Sequence, residues 1–352
     1  MSPTSMNVTI KELGELRDIY QPFPSDDVRH YVELINLAIL SFPIALVGSL
    51  ANIVNLIVFF RQGMDSTLNV ALAALAISDL CSLLTLLLFV IWLSPLLAVL
   101  GVPVKPSEAQ HLTAGLPHGC FTRITSWITA YIAAERCLCV AYPLKIKRIL
   151  TPRRTTGIIA CIYILMIISL FPEYITLYLD WIWDAVSNRF LLGLTYRYNN
   201  LRLDGLTFLV YALYMFASFV TVTLLTVILI VKLKNNAKWR KSATVDIDRS
   251  QRISNREQKA VKITLTLASL LIITFCPTIM VSMCGFLVPG FSVIGRYSNL
   301  FFLSWSFVQV FDATNASINI YLYYRLSSSY RRTFHELFPW CFTKELASTK
   351  QL

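Results

Sequence analysis

The sequence predicts an all-α membrane protein: a bundle of seven transmembrane helices, followed by a short amphipathic eighth helix on the inner leaflet. Three observations carry this. Hydrophobic residues make up 56% of the 352 and charged residues only 14%, against roughly 25% charged in an ordinary soluble domain. Seven apolar runs, at about 34–60, 68–100, 109–140, 156–178, 205–231, 263–288 and 297–324, each come near the roughly 20 residues that cross a bilayer. The basic residues are also distributed unevenly about those runs. Together these exclude a soluble enzyme, a disordered chain and a secreted disulfide scaffold. The organisation is a polar outer segment (1–32), a membrane domain (33–324), and an amphipathic helix with a short cytoplasmic tail (325–352).

Each run must be helical, because lipid offers the backbone no hydrogen-bond partner. The third is the least apolar, carrying Arg123, Glu135 and Arg136. Prolines 43, 95, 117, 172 and 277 lie inside runs and should kink them. Of the 31 Lys and Arg residues, 21 fall in Arg61, 145–154, 232–262 and 325–350, and eight fall in the alternate segments. By the positive-inside rule the N-terminus is outside and the C-terminus cytoplasmic, as in a multi-pass plasma-membrane protein. The +11 net charge is then an inner-leaflet signature, at about 1 kcal/mol per basic residue near anionic lipid. It is not the mark of a nucleic-acid binder.

Residues 1–32 lack the apolar stretch of a cleavable signal peptide, so the first run is expected to act as signal-anchor. Asn7-Val8-Thr9 is a glycosylation sequon on the outer side. None of the eight cysteines falls in an outer loop, so no outer disulfide is expected. The charged stretch 232–262 should prolong the helices on either side of it. From 325 to 338 bases alternate with apolar residues (Arg325, Tyr330, Arg331, Arg332, Phe334, Leu337, Phe338), which suits a helix lying on the inner leaflet. Cys341, between Trp340 and Phe342, is placed for palmitoylation; an unmodified interfacial thiol is the alternative.

Ionisable residues at membrane depth are costly and usually functional. Asp79, in Leu75-Ala76-Ile77-Ser78-Asp79, must face the bundle interior and needs partners. Asn52, Thr125, Asn315 and Asn319 are the candidates on other runs. Such a hydrated network of Asp79, Thr125, Asn315 and Asn319 could hold a sodium ion and rearrange as helices move. It could equally be a helix-to-helix clasp worth about 0.6 kcal/mol per contact. No other cofactor is implied. Glu135-Arg136-Cys137 lies at the inner end of the third run, with Pro143-Leu144 seven residues beyond Arg136. The pair could snorkel to the interface. It could also be a switch, with Arg136 held by acids until a partner competes for it; Glu257, just before the sixth run, is the second acid.

The combination resembles the rhodopsin-like G-protein-coupled receptors. The matching residues are Asn52, Leu75-Ala76-x-x-Asp79, Glu135-Arg136-Cys137 with Pro143-Leu144, Pro172, Pro277, and Asn319-Ile320-Tyr321-Leu322-Tyr323, in order and on the expected runs. The resemblance covers about 33–340. The stretch from Glu135 to Arg154 is most similar to invertebrate chemosensory or peptide receptors. The resemblance implies a receptor that passes an extracellular peptide or small-molecule signal to a heterotrimeric G protein. It assigns Glu135, Arg136, Glu257, Asn319 and Tyr323 to coupling and switching, and Phe275 with Pro277 to a sixth-helix lever. The chain also departs from the family. His111 stands where a cysteine is usual, 25 residues before Arg136, and 179–204 has no cysteine to pair with it. Phe275 replaces a tryptophan, and Ile320 a proline.

The resemblance places the ligand among the outer halves of the helices. His118 occupies the position of the aspartate of amine receptors, which argues against a biogenic amine. Ala313 stands where an opsin needs lysine. Arg123 and Asp312 either pair with each other or leave one of them to meet a ligand, such as a carboxylate at Arg123. Trp305, Gln309 and His118 would complete the wall. Trp181, Trp183, Tyr196, Arg197 and Tyr198 line the outer loop and suit either a peptide or the membrane interface. A small-molecule transporter or channel is the rival reading, but it predicts inverted repeats around a midplane site, and the sequence contains none. An enzyme is not expected: Gly290-Phe291-Ser292-Val293-Ile294 fails the nucleophile-elbow pattern at its last position.

Overall fold

The computed structural model describes residues 23–94, 97, 99–142, 146, 149–184, 187–196, 201–242, 248–291 and 296–339. They are mostly helix. In chain order the helices are α1 (Asp26–Gln62), α2 (Thr67–Leu93), α3 (106–141), α4 (Pro152–Thr176), α5 (Leu201–Ser242), α6 (Asp248–Leu287), α7 (Ser298–Ser317), α8 (Asn319–Leu326) and α9 (Ser328–Leu337). Five of them contain a segment apolar and long enough to cross a membrane: α1, α2, α4, Ala212–Leu233 of α5 and Lys259–Gly285 of α6. α3 and α7 coincide with the third and seventh apolar runs but carry more polar residues. Outward faces are aliphatic. On α4, Ile164, Leu165, Ile167, Ile168 and Phe171 are all exposed, an apolar surface of the kind that lipid or another protein covers.

α1 begins at Asp26, within the polar segment, because Ser25 caps it and Asp26 and Asp27 favour the positive end of its dipole. Its start is tied to the first turn of α7: Asn299 Nδ2 donates to Asp26 Oδ1 and to the Pro24 carbonyl, each at 2.8 Å. Two of the predicted proline kinks take an unusual form. Residues Ile35–Ser41 and His111–Gly115 are π-helical, and each stretch runs directly into a helix with proline at its second position, Pro43 and Pro117. A widened turn is one way to accommodate a ring that would clash with the carbonyl four residues back. Pro172 follows the break in α4 at Ser169–Leu170, and Pro277 sits inside α6. Pro95 lies outside the described residues.

α3 is the centre of the packing, touching α2, α4, α5 and α6, while α7 closes against α1, α2 and α6. The α1–α7 approach is very close. A Cβ on Gly48 would overlap the Ser317 hydroxyl and lie 2.7 Å from Ser317 Cβ and 2.9 Å from Leu83 Cδ1. α7 breaks at Ile318 although no proline is present. There the Ala316 carbonyl accepts a hydrogen bond from Asn52 Nδ2 at 2.8 Å, and Ser317 Oγ lies 2.7 Å from the Ala313 carbonyl of its own helix and 3.1 Å from the Ile44 carbonyl of α1. Side-chain bonding to α1 thus accompanies the break that proline would otherwise cause. The basic stretch does prolong its neighbours: α5 runs on to Ser242 and α6 starts at Asp248. α9 buries Tyr330 and Thr333 and exposes Arg331 and Arg332, confirming its two faces.

The all-α expectation fails in one place. Residues Leu177–Asp184 (β1) and Arg189–Tyr196 (β2) form an antiparallel hairpin, with Trp181 opposite Leu192 and Trp183 opposite Phe190. Its alternation was hidden in a stretch rich in aromatic residues, which reads equally as loop or belt. The hairpin is fastened to the start of α3. Lys105 N donates to the Leu192 carbonyl and Leu192 N to the Pro103 carbonyl, both at 2.9 Å. Glu108 Oε2 accepts from Leu194 N at 2.6 Å. Gly193 makes room for that carboxylate, since a Cβ there would lie 2.7 Å from it. The attachment that a disulfide would provide is therefore made by backbone and carboxylate hydrogen bonds.

Two outcomes follow. Gly48→Ala should destabilise the protein by about 1–3 kcal/mol through overpacking, read as a lowered Tm in thermal unfolding of the purified chain. At the hairpin turn, Ser187 donates its amide (2.9 Å) and its hydroxyl (2.7 Å) to Asp184 Oδ2, and these bonds hold that carboxyl below its usual range. With the folded value lowered, the stabilisation is full above the ordinary carboxylate range and is lost as pH falls through the lowered value. Hydrogen exchange, corrected for intrinsic rates, should show the Ser187 amide protected at about pH 5 and released only below about pH 4.

Candidate functional site

Polar side chains meet at three levels along α2, α3 and α7. At the middle level Asp79 is wholly buried. Thr125 Oγ1 donates to its Oδ1 and Asn319 Nδ2 to its Oδ2, both at 2.7 Å, and Ser78 Oγ lies 2.9 Å from Thr125 Oγ1. One carboxylate thereby joins α2, α3 and α8. The expected network is only partly assembled. Asn315 Oδ1 instead accepts from Thr274 Oγ1 of α6 at 3.2 Å. The cause is the break at Ile318, which turns Asn319 toward Asp79. Asn52 serves the Ala316 carbonyl and accepts from Asn55 Nδ2 at 3.3 Å, and Asn55 Oδ1 accepts from Tyr330 OH of α9 at 2.6 Å.

At the inner level, Arg136 Nη2 donates to Glu135 Oε1 at 2.5 Å. The same oxygen accepts from Thr67 Oγ1, in the first turn of α2. Glu135 is buried, so this is not a pair of snorkelling surface charges. A buried carboxylate stripped of one partner would be left with an uncompensated charge, which makes the arrangement either closed or costly. Sequence reasoning missed Thr67: nothing in a threonine at a helix start marks it as an acid's partner. The Glu257 side chain, Pro143-Leu144, Asn7 and Cys341 lie outside the described residues. Tyr323 is buried edge-on to Phe59, with ring centroids 5.2 Å apart, and Phe59 also packs on Tyr330 at 5.6 Å. Phe275 is buried in a cluster with Ala130 of α3 and Met215 and Val222 of α5, two residues before Pro277. A movement of α6 about Pro277 must disturb that cluster.

At the outer level the expected Arg123–Asp312 pair is corrected. Among the described residues the side chain that faces Asp312 is His118, with Nε2 to Oδ2 at 3.6 Å. Arg123, also buried, donates Nε to the Gly119 carbonyl at 3.1 Å. Positions 118 and 123 differ by five residues, about 140° around a helix, so only one can face α7. His118 Nδ1 lies 3.0 Å from the Ser82 carbonyl and 3.2 Å from Ser82 Oγ. Trp305, Gln309 and Asp312 follow one another at four- and three-residue steps, on one face of α7. Trp305 Nε1, Gln309 Oε1 and Asp312 Oδ1 are buried without a hydrogen-bond partner among the described residues. The Tyr196 side chain, Arg197 and Tyr198 are outside the described residues; Trp181 and Trp183 are exposed on the hairpin.

A family model described as serpentine type 7TM GPCR chemoreceptor Srw matches residues 39–341. The chain belongs to that family. The Srw match takes in all three polar levels, and the family is one of G-protein-coupled receptors, not of enzymes. Over 175 residues the chain is 29% identical to the galanin-like G-protein coupled receptor npr-9 of Caenorhabditis elegans, which covers 47% of this chain and 37% of that protein. The similarity thus spans little more than a third of the relative's own length.

Proposed function

We propose that this Srw-family chain crosses the plasma membrane seven times with its N-terminus outside, takes an extracellular peptide or small-molecule ligand, and passes the signal to a heterotrimeric G protein. α3 and α7 supply the two spans beyond the five apolar helices. The ligand sits at the outer level, among His118, Arg123, Trp305, Gln309 and Asp312. The observation that carries the reading is the inner one: in a G-protein-coupled receptor family, Arg136 is held on a buried Glu135 that Thr67 also holds.

The mechanism is a shift between two states. Ligand favours the state in which the inner end of α6 moves away from α3, freeing Arg136 from Glu135 and Glu257. Phe275 changes its packing against Ala130 and Met215 as α6 turns at Pro277. A G-protein segment then enters the cleft, bordered by the basic stretches 145–154 and 232–262. Asp79, Thr125, Asn315 and Asn319 reorganise between the states. A sodium ion fits the middle level: Oδ1 of Asp79 with the Thr125 and Ser78 hydroxyls offers the hard oxygen donors such an ion takes, and its charge would offset the buried carboxylate. Lipidation at Cys341 and glycosylation at Asn7 belong to the same reading.

Nucleotide exchange on purified G proteins, with the chain in nanodiscs, tests the proposal. Basal exchange should vanish in Arg136→Ala and rise about fivefold or more in Glu135→Gln and Glu257→Ala. Exchange unchanged by Arg136→Ala would refute the role of that residue. Replacing sodium by a bulky organic cation at constant ionic strength should lower the Tm of the wild type. Asp79→Asn should abolish that dependence, and equal melting in both salts would remove the ion from the mechanism.

A further inference from the structure

The outer level has a donor–acceptor imbalance that specifies the ligand's chemistry. A carbonyl oxygen can only accept, so the Ser82 carbonyl 3.0 Å from His118 Nδ1 places a ring proton on that nitrogen. His118 Nε2 faces Asp312 Oδ2 at 3.6 Å, too far for a direct hydrogen bond. Asp312 Oδ1 and Gln309 Oε1 are both buried without partners among the described residues, as is the hydroxyl of Thr278. Thr278 stands one turn outward of the Thr274 that bonds α7. Asp312, His118 and Gln309 are each less than a tenth exposed.

We infer that this acceptor-rich cradle is a clamp for a ligand ammonium group, with Asp312 as its counter-charge. The inference rests on the receptor reading above and deepens it. An ammonium carries three donors and one positive charge. It can satisfy Asp312 Oδ1 and Gln309 Oε1 together, and its charge answers that of a buried carboxylate. A neutral hydroxyl or amide would leave the charge unanswered. A ligand carboxylate would meet Asp312 as a like charge. The indole of Trp305, four residues before Gln309, supplies an aromatic wall for the organic part of the ligand. The acid missing from position 118 is thus provided from across the bundle by α7. The ammonium could belong to a small amine or to a peptide N-terminus.

The test is binding of fluorinated probes to the purified full-length chain in nanodiscs, followed by fluorine NMR without any G protein. The probes are 4-fluorobenzylammonium, 4-fluorobenzyl alcohol and 4-fluorobenzoate. The ammonium should bind about tenfold or more tightly than either of the others. That preference should disappear in Asp312→Asn and shrink in Gln309→Leu, with thermal unfolding used to verify that each variant is folded. A phenylalanine-led tripeptide with a free N-terminus should compete with the probe if the natural source is a peptide. Its acetylated form should not. Competition by neither peptide assigns the clamp to small amines. Alcohol or benzoate binding as tightly as the ammonium overturns the clamp. So does a preference that survives in a folded Asp312→Asn, or no ammonium binding at roughly 10 mM. If Asp312→Asn fails to fold, the wild-type preference and Gln309→Leu still decide. Failure here leaves the exchange result intact, and failure of exchange leaves the binding result intact.

Discussion

A carboxylate set in an apolar helix must be answered by donors from its neighbours, and the answers given to Asp79 fix how three helices stand. Thr125 comes from α3, and Asn319 comes from the residue just past the break in α7. Neither bond is worth much by itself, at about 0.6 kcal/mol in comparable membrane contacts. What they supply is registry. Asn319 can reach Asp79 only if the chain turns at Ile318, and that turn places the Ala316 carbonyl where Asn52 of α1 donates to it. Gly48 then lets α1 close on Ser317. A single buried acid is the point about which α1, α2, α3 and α7 are aligned.

The same helices carry the outer and inner levels. α2 contributes Ser82 outside, Asp79 in the middle and Thr67 inside. α3 contributes His118, Thr125, Glu135 and Arg136. At each level a polar atom of α2 meets one of α3, so neither of these two helices can rotate without opening bonds at all three. The outer cluster between α3 and α7 is thereby linked through α2 and α3 to the helix end that carries Arg136.

Much of this was legible in the residues. Asp79 announced itself because nothing apolar explains an acid there, and two of its four suggested partners do bond it. The acid–base pair at the inner end was equally plain. The rest depended on rotation and backbone detail that composition does not encode. Arg123 and Asp312 have opposite charges at similar depth, yet the five-residue offset from His118 turns Arg123 away from α7. Thr67 and Ser82 carry no charge and are common residue types in helices, so their roles emerge only from what they touch. The break at Ile318 was masked because no proline marks it. The π-helical stretches before Pro43 and Pro117 were masked because proline was expected to bend the helix where it stands.

The hairpin's fastening has its own consequence. A covalent cross-link gives such a hairpin one permanent arrangement that only redox chemistry can undo. Here the hairpin is held by two backbone bonds and the Glu108 carboxylate, with His111 and Glu173 3.4 Å apart nearby. Such a hold is reversible under ordinary thermal agitation, as local opening of small units is in general. The hairpin, with its exposed Trp181 and Trp183, is thus joined to the start of α3 by bonds that can break and remake without chemistry. Reducing surroundings have no cystine there to attack.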